Sequence, residues 1–112
     1  MELVNAEFKN GQCFLSFRIK NNSSGTQKIK WDLYDSDSFA IIGEDQHYIS
    51  VATIGFASYE TTYADYELPG KVMVSGTLVI PDVSVDCKVI DKLFMGHYNS
   101  TPYEFAKIVI SE

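Results

Sequence analysis

Apolar residues recur at every second position along much of this chain, and this alternation constrains the fold more than any other feature. In residues 12–20 and 27–34, apolar side chains alternate with polar or charged ones. Successive side chains of a β-strand point to opposite faces, so a period of two predicts strands with one buried face. The side chains predicted to share a core are Cys13, Leu15, Phe17, Ile19, Ile29, Trp31 and Leu33.

Turn-forming residues divide this pattern into short strands. Asn10-Gly11 predicts a two-residue hairpin, and Pro69-Gly70 predicts a break. Residues 56–68 fit either a strand, which we predict, or a short helix, because Phe56, Tyr59, Tyr63 and Tyr66 recur at helical spacing. The predicted strands are 2–8, 12–20, 27–34, 39–42, 47–54, 56–68, 72–80, 83–94 and 103–110.

Short strands separated by a turn about every 8–12 residues are typical of two stacked sheets. The sequence therefore predicts an all-β fold, an immunoglobulin-like antiparallel β-sandwich of about seven to eight strands, with a closed barrel as the alternative. The 112 residues leave room for a single domain, 1–112, and seven Phe and seven Tyr argue against disorder. No apolar run reaches the roughly 20 residues that a membrane-spanning helix needs, so no transmembrane segment is expected.

The localisation stays open between two settings. Residues 1–5 lack the basic and apolar regions of a signal peptide. The chain is therefore expected in the cytoplasm, or outside it if a signal has been removed.

The two cysteines are too few for a disulfide scaffold or a zinc site. By the alternation, Cys13 and Cys87 both face the core, where they could form one disulfide. A bridge between them would stabilise the fold by roughly 4 kcal/mol on the chain-entropy model. The alternative is that both are buried free thiols that act as small apolar residues.

Charge is distributed unevenly along the chain, which has a net charge of −6. The stretch between Trp31 and Gly70 contains eight acidic residues and no Lys or Arg. Four cations are predicted on one outward face of two strands joined by a short turn, namely Arg18, Lys20, Lys28 and Lys30. This face is a candidate binding site for an acidic partner, or a solvated surface offset by nearby carboxylates. So few cations on an acidic chain, with no recognition motif, argue against nucleic-acid binding.

The other candidate sites are small. Asp32, Asp35 and Asp37 form a carboxylate cluster that could hold calcium, although aspartate is also a common turn residue. Tyr98, in the predicted loop 96–102, is a candidate exposed contact residue. His47 and His97 lie in no catalytic motif, so neither an enzymatic activity nor a cofactor is predicted.

The segment Trp31-Asp32-Leu33-Tyr34-Asp35 resembles the signature of the FxLYD domain family, with Trp in place of Phe. Residues 17–23 resemble the strand and Asn-rich turn that open many bacterial sandwich domains, and residues 59–63 resemble a turn-then-strand element of the FxLYD family. The family's usual Gly after the Asp turn is absent, and the chain from Val83 onward has no counterpart. The resemblance implies an immunoglobulin-like fold, a bacterial cell-envelope or secreted setting, and no enzymatic activity.

Three functions are compatible with these observations. The first is a non-catalytic interaction or adhesion module that contacts a protein partner through acidic loops or a sheet edge, with self-association through an edge as one form. The second is a small-ligand or calcium-binding domain. The third is an intracellular inhibitor or regulator that presents loops to an enzyme.

Overall fold

A computed structural model describes residues 1–33, 37–60, 63–97 and 103–111 of the chain. The described residues form eleven β-strands: β1 (Glu2–Lys9), β2 (Gln12–Lys20), β3 (Gln27–Asp32), β4 (Phe39–Ile42), β5 (Asp45–Tyr48), β6 (Val51–Ile54), β7 (Ala57–Tyr59), β8 (Tyr63–Leu68), β9 (Met73–Ile80), β10 (Val89–His97) and β11 (Tyr103–Val109). They build two antiparallel sheets that pack as a sandwich. The predicted all-β class is therefore confirmed.

Sheet A contains five strands in the order β1-β2-β9-β6-β7. Its centre is the long pairing of β2 with β9, which runs from Cys13 opposite Ile80 to Lys20 opposite Met73. The Asn10-Gly11 dipeptide joins β1 to β2, and both residues have positive φ. This geometry suits a two-residue hairpin turn, as the sequence predicted.

Sheet B is built around β10. Strands β11 and β4 both pair with residues 92–94 of β10, so they lie on its opposite sides. Strand β3 pairs with Gly96 and His97 at the end of β10. Strand β8 pairs with β3, and β5 pairs with β4. Ser38 lies between the segment of the chain that pairs β3 with β10 and the segment that pairs β4 with β10. Its hydroxyl donates to the Asp32 carbonyl and accepts from the Gly96 amide, 2.9 Å away.

The core lies between the sheets and contains the predicted residues. Phe17 and Trp31 are 1% and 0% exposed, and their rings meet edge to face with centroids 5.2 Å apart. Since Phe17 belongs to sheet A and Trp31 to sheet B, this contact joins the two layers. Phe17 packs over Gly76, where any Cβ would lie 2.3 Å from its ring. The glycine is therefore needed for close packing.

Several predicted strands differ from the observed ones because the chain changes sheets within them. The predicted strand 47–54 is divided into β5, in sheet B, and β6, in sheet A, with the fully buried Ile49 at the crossing. The predicted strand 56–68 is likewise divided into β7 and β8, and no helix forms in its described part. Residues 83–88 connect two sheets instead of beginning a strand, and Val85 is 68% exposed.

A buried asparagine ties together two further crossings between the sheets, residues 21–26 between β2 and β3 and residues 69–72 between β8 and β9. Asn21 is 0% exposed, and its side-chain amide donates to the carbonyls of Gly25 and Leu68 at 2.7 and 2.9 Å. Its side-chain oxygen accepts from the amide and the hydroxyl of Ser23. The side chain thus satisfies its own polar atoms while linking the 21–26 crossing to the end of β8.

The described residues include no helix that is both long and apolar enough to span a membrane.

Candidate functional site

The sandwich is open along the side where β1 and β11 face each other. These strands are the edges of sheets A and B on that side, and they run parallel. Among the described residues, one parallel β-bridge joins the two sides, between Glu7 of β1 and Ser111, two residues after the end of β11. There the Ser111 amide donates to the Ala6 carbonyl at 2.7 Å. The seam is therefore closed at that bridge and is open between residues 1–6 and 105–109.

The open part of this seam is a groove of about 610 Å³. This volume is in the range of ligand-binding clefts. Two thirds of its lining residues are apolar, and they come from both strands, among them Leu3, Val4, Phe105, Ala106, Ile108 and Val109. Val4 and Val109 are 53% and 70% exposed, whereas Leu3, Phe105 and Ile108 pack partly against the core.

Both walls of the groove depart from regular strand geometry. The register of β1 against β2 shifts between Leu3 and Asn5, so Val4 lies in an irregular position. On the other wall, Lys107 adopts φ of 53°, a left-handed conformation that lysine rarely takes. Such irregularities are common where an edge strand is shaped to block pairing or to meet a ligand.

The two cysteines lie near the bridged end of the seam. Cys13 lies beside Phe8 of β1 and is 0% exposed. Burial raises the pKa of the Cys13 thiol to about 11, and the nearby Cys87 adds to the shift. Both cysteines are free thiols in the structure, with Cys13 buried and Cys87 half-buried. The Cys13–Cys87 disulfide remains a prediction.

The four predicted cations do not form a single face. Arg18 and Lys20 lie on the outer face of sheet A, and Lys28 and Lys30 lie on the outer face of sheet B. The prediction was wrong because β2 and β3 are neighbours in the chain but join different sheets.

Most of these cations lie beside carboxylates of neighbouring strands. Arg18 bonds Glu2 at 2.6 Å, Lys28 lies 3.8 Å from Glu67, and Lys30 is opposite Asp65. These pairs are solvent-exposed, so they contribute little stability, but opposite charges across strands favour the observed register.

The predicted calcium site lies only partly within the described residues. Asp32 is half-buried at the end of β3 and Asp37 is exposed, whereas Asp35 lies outside the described residues. Among the residues the structure covers, no group of three His, Cys, Asp or Glu side chains is placed to hold a metal ion. Calcium binding remains a prediction.

A smaller cleft of about 310 Å³ lies on the outer face of sheet B. Lys30, Tyr63, Ala64 and Asp65 line it. Tyr98, the predicted contact residue, lies outside the described residues.

The groove residues were not among the predicted sites. The alternation identifies residues that face inward, but Val4 and Val109 are exposed because their strands are edges and β1 is irregular. The signal that could have found the groove is the pair of valines at opposite ends of the chain, and it becomes visible only when β1 and β11 are known to be neighbours.

No family model matches the chain, and no curated protein or solved structure matches it either.

Proposed function

We propose that this chain is a non-catalytic interaction module that binds an extended segment of a protein partner in the groove between β1 and β11. The observation that carries the proposal is the pairing of an apolar groove with two strand edges. An edge strand presents backbone N–H and C=O groups to an incoming chain, and apolar side chains beside it supply pockets for alternate residues.

The fold supports this role. The strand order β1-β2-β9-β6 in sheet A corresponds to the A-B-E-D order of immunoglobulin domains, and β4-β10-β11 in sheet B corresponds to C-F-G. On this basis we propose an immunoglobulin-like topology, with β7 and β8 as an insertion between D and E. In this assignment the groove lies between strands A and G.

The groove edges favour a partner strand over a second copy of this chain. The Ser111 bridge already occupies the β1 edge at Glu7, and the left-handed Lys107 interrupts the β11 edge. Two copies pairing edge to edge would need a long, regular edge on each. A single short strand needs only the open part of the groove.

The test uses extended peptides. A library of random twelve-residue peptides, long enough to contain a strand of about five or six residues with flanking residues, is selected on the purified protein, and the selected peptides are measured by fluorescence anisotropy. We expect alternating apolar residues in the selected peptides, and NMR amide shifts concentrated in β1 and β11.

Variants then locate the site. Val4→Lys and Val109→Lys place a charge in the groove at exposed positions, and each should weaken peptide binding about tenfold or more, a loss of at least about 1.4 kcal/mol. Val85→Lys is the matched control, since Val85 is 68% exposed and does not line the groove. Failure to select any peptide, or equal binding by all three variants, would contradict the proposal.

A further inference from the structure

The turn between β6 and β7 carries a phenylalanine that protrudes from the sandwich. Gly55 adopts φ of 59°, and Ile54 pairs with Ala57, so Gly55 and Phe56 form a two-residue turn. Phe56 is 109% exposed, more than in the reference for an unfolded residue. The ring is therefore the outermost part of this turn, and it contributes no packing to the fold in this position.

Two more exposed apolar residues lie at the same end of sheet A. The Gly55 amide donates to the Ser75 carbonyl at 2.9 Å, which places the turn beside the start of β9. Met73, two residues before Ser75, is 54% exposed, and Val72 is 42% exposed. We call Phe56, Val72 and Met73, with the neighbouring Lys20 and Lys71, the Phe56 end.

Charge at this end is opposite in sign to that of the remaining protein. Lys20 lies opposite Met73, and Lys71 precedes Val72. The Phe56 end thus holds two of the nine cations and none of the fifteen acidic residues. The seven other cations and the fifteen acidic residues give the rest of the chain a net charge of −8.

We infer that the Phe56 end docks on the surface of anionic lipid bilayers, with Phe56 entering the interface and the lysines facing the headgroups. A charge distribution of this kind orients the molecule, since an anionic surface attracts this end and repels the remainder. A protruding ring needs no preformed pocket in a lipid interface, whereas a protein partner would need a cavity shaped to receive it. The inference does not depend on the groove between β1 and β11.

The experiment is co-sedimentation with vesicles of phosphatidylcholine, with and without phosphatidylserine. We expect binding only when phosphatidylserine is present, and weaker binding at high salt because surface charges are screened. Phe56→Ser should weaken binding about tenfold or more, and Lys20→Gln about fivefold. Val85→Ser, an exposed apolar residue outside the Phe56 end, is the control and should bind as the parent chain does.

A second variant reports insertion directly. Trp31 is fully buried and provides a constant background, so Phe56→Trp adds one exposed reporter. Its emission should shift to the blue with phosphatidylserine vesicles and be quenched by brominated lipid chains. An unshifted spectrum, or Phe56→Ser binding equal to that of the parent chain, would overturn the inference. Phe56-dependent binding to polyglutamate with no binding to vesicles would also overturn it, in favour of an acidic protein partner.

Discussion

The two lateral sides of the sandwich differ in how the sheets are joined. On one side, β7 of sheet A and β8 of sheet B are consecutive in the chain, and the Tyr59 hydroxyl donates to the Asp65 carbonyl at 3.1 Å. On the other side, β1 and β11 come from opposite ends of the sequence and meet at the Ser111 bridge. A short covalent link holds the first seam at small entropic cost, whereas the second must be held by contacts alone.

The difference explains why the groove lies where it does. A seam held, among the described residues, by a single backbone bridge can open without unfolding the core, which is the behaviour expected of a binding site at the low-stability end of a structure. The linked seam has no such freedom. Four measurements test this difference between the two seams.

The largest effect is expected away from both seams, at Asn21. Asn21→Ala removes a buried side chain that makes four hydrogen bonds, and with it the side-chain partner of the Ser23 amide and of the Leu68 carbonyl. We expect the free energy of unfolding to fall by about 3 kcal/mol in urea titrations. Asn22→Ala, at the exposed neighbouring position, should change it by less than about 0.5 kcal/mol. Equal effects of the two variants would show that the crossings do not hold the sheets together.

The second measurement asks how far water enters the open seam. Because the pKa of Cys13 is about 11 in the folded protein and 9.0 in the reference state, the neutral thiol contributes fully to stability below pH 9. This contribution, about 2 to 3 kcal/mol, should be lost as the pH rises from 9 to 11. Cys13→Ala should flatten the dependence of the unfolding free energy on pH in that window, whereas Cys87→Ala should leave most of this pH dependence in place. The same slope in Cys13→Ala as in the parent chain would mean that water reaches the Cys13 thiol in the folded protein.

The third measurement opens the groove further. Ser111→Pro removes the amide that donates to Ala6, while Ser111→Ala keeps it. We expect the proline variant to lose about 1 kcal/mol and to exchange its β1 and β11 amides faster, with little change in β2 and β9. Faster exchange throughout the protein would instead show that the bridge supports the whole fold.

The smallest effect is expected on the linked side. Tyr59→Phe removes the hydrogen bond to Asp65, and we expect a loss of less than about 0.5 kcal/mol because the bond is solvent-exposed and the chain itself holds β7 near β8. Thermal unfolding of this variant and of Ser111→Pro gives the comparison directly. A larger loss for Tyr59→Phe would reverse the assignment of the two seams.

Part of this structure was predictable because it depends on local order. The period of two in residues 12–20 and 27–32 places Phe17 and Trp31 inward, and both are buried. The Asn10-Gly11 turn follows from backbone preferences of those two residues alone. Such features need no knowledge of which strands are neighbours.

The sites were harder to predict because they depend on pairing. Arg18 and Lys28 were expected on one face, but a turn of the same composition can join strands within a sheet or carry the chain to the other sheet. Similarly, nothing local distinguishes Val4 and Val109, which line the groove, from other apolar strand residues.

Alternation along the chain was enough to predict the all-β class and the inward-facing side chains, since it sets which face of a strand is apolar. It could not predict which sheet each strand joins, and therefore that residues 1–6 and 105–109 line the two walls of one groove. Alternation is a relation between neighbours in the chain. Sheet membership, in contrast, is set by contacts between residues as far apart as Ala6 and Ser111.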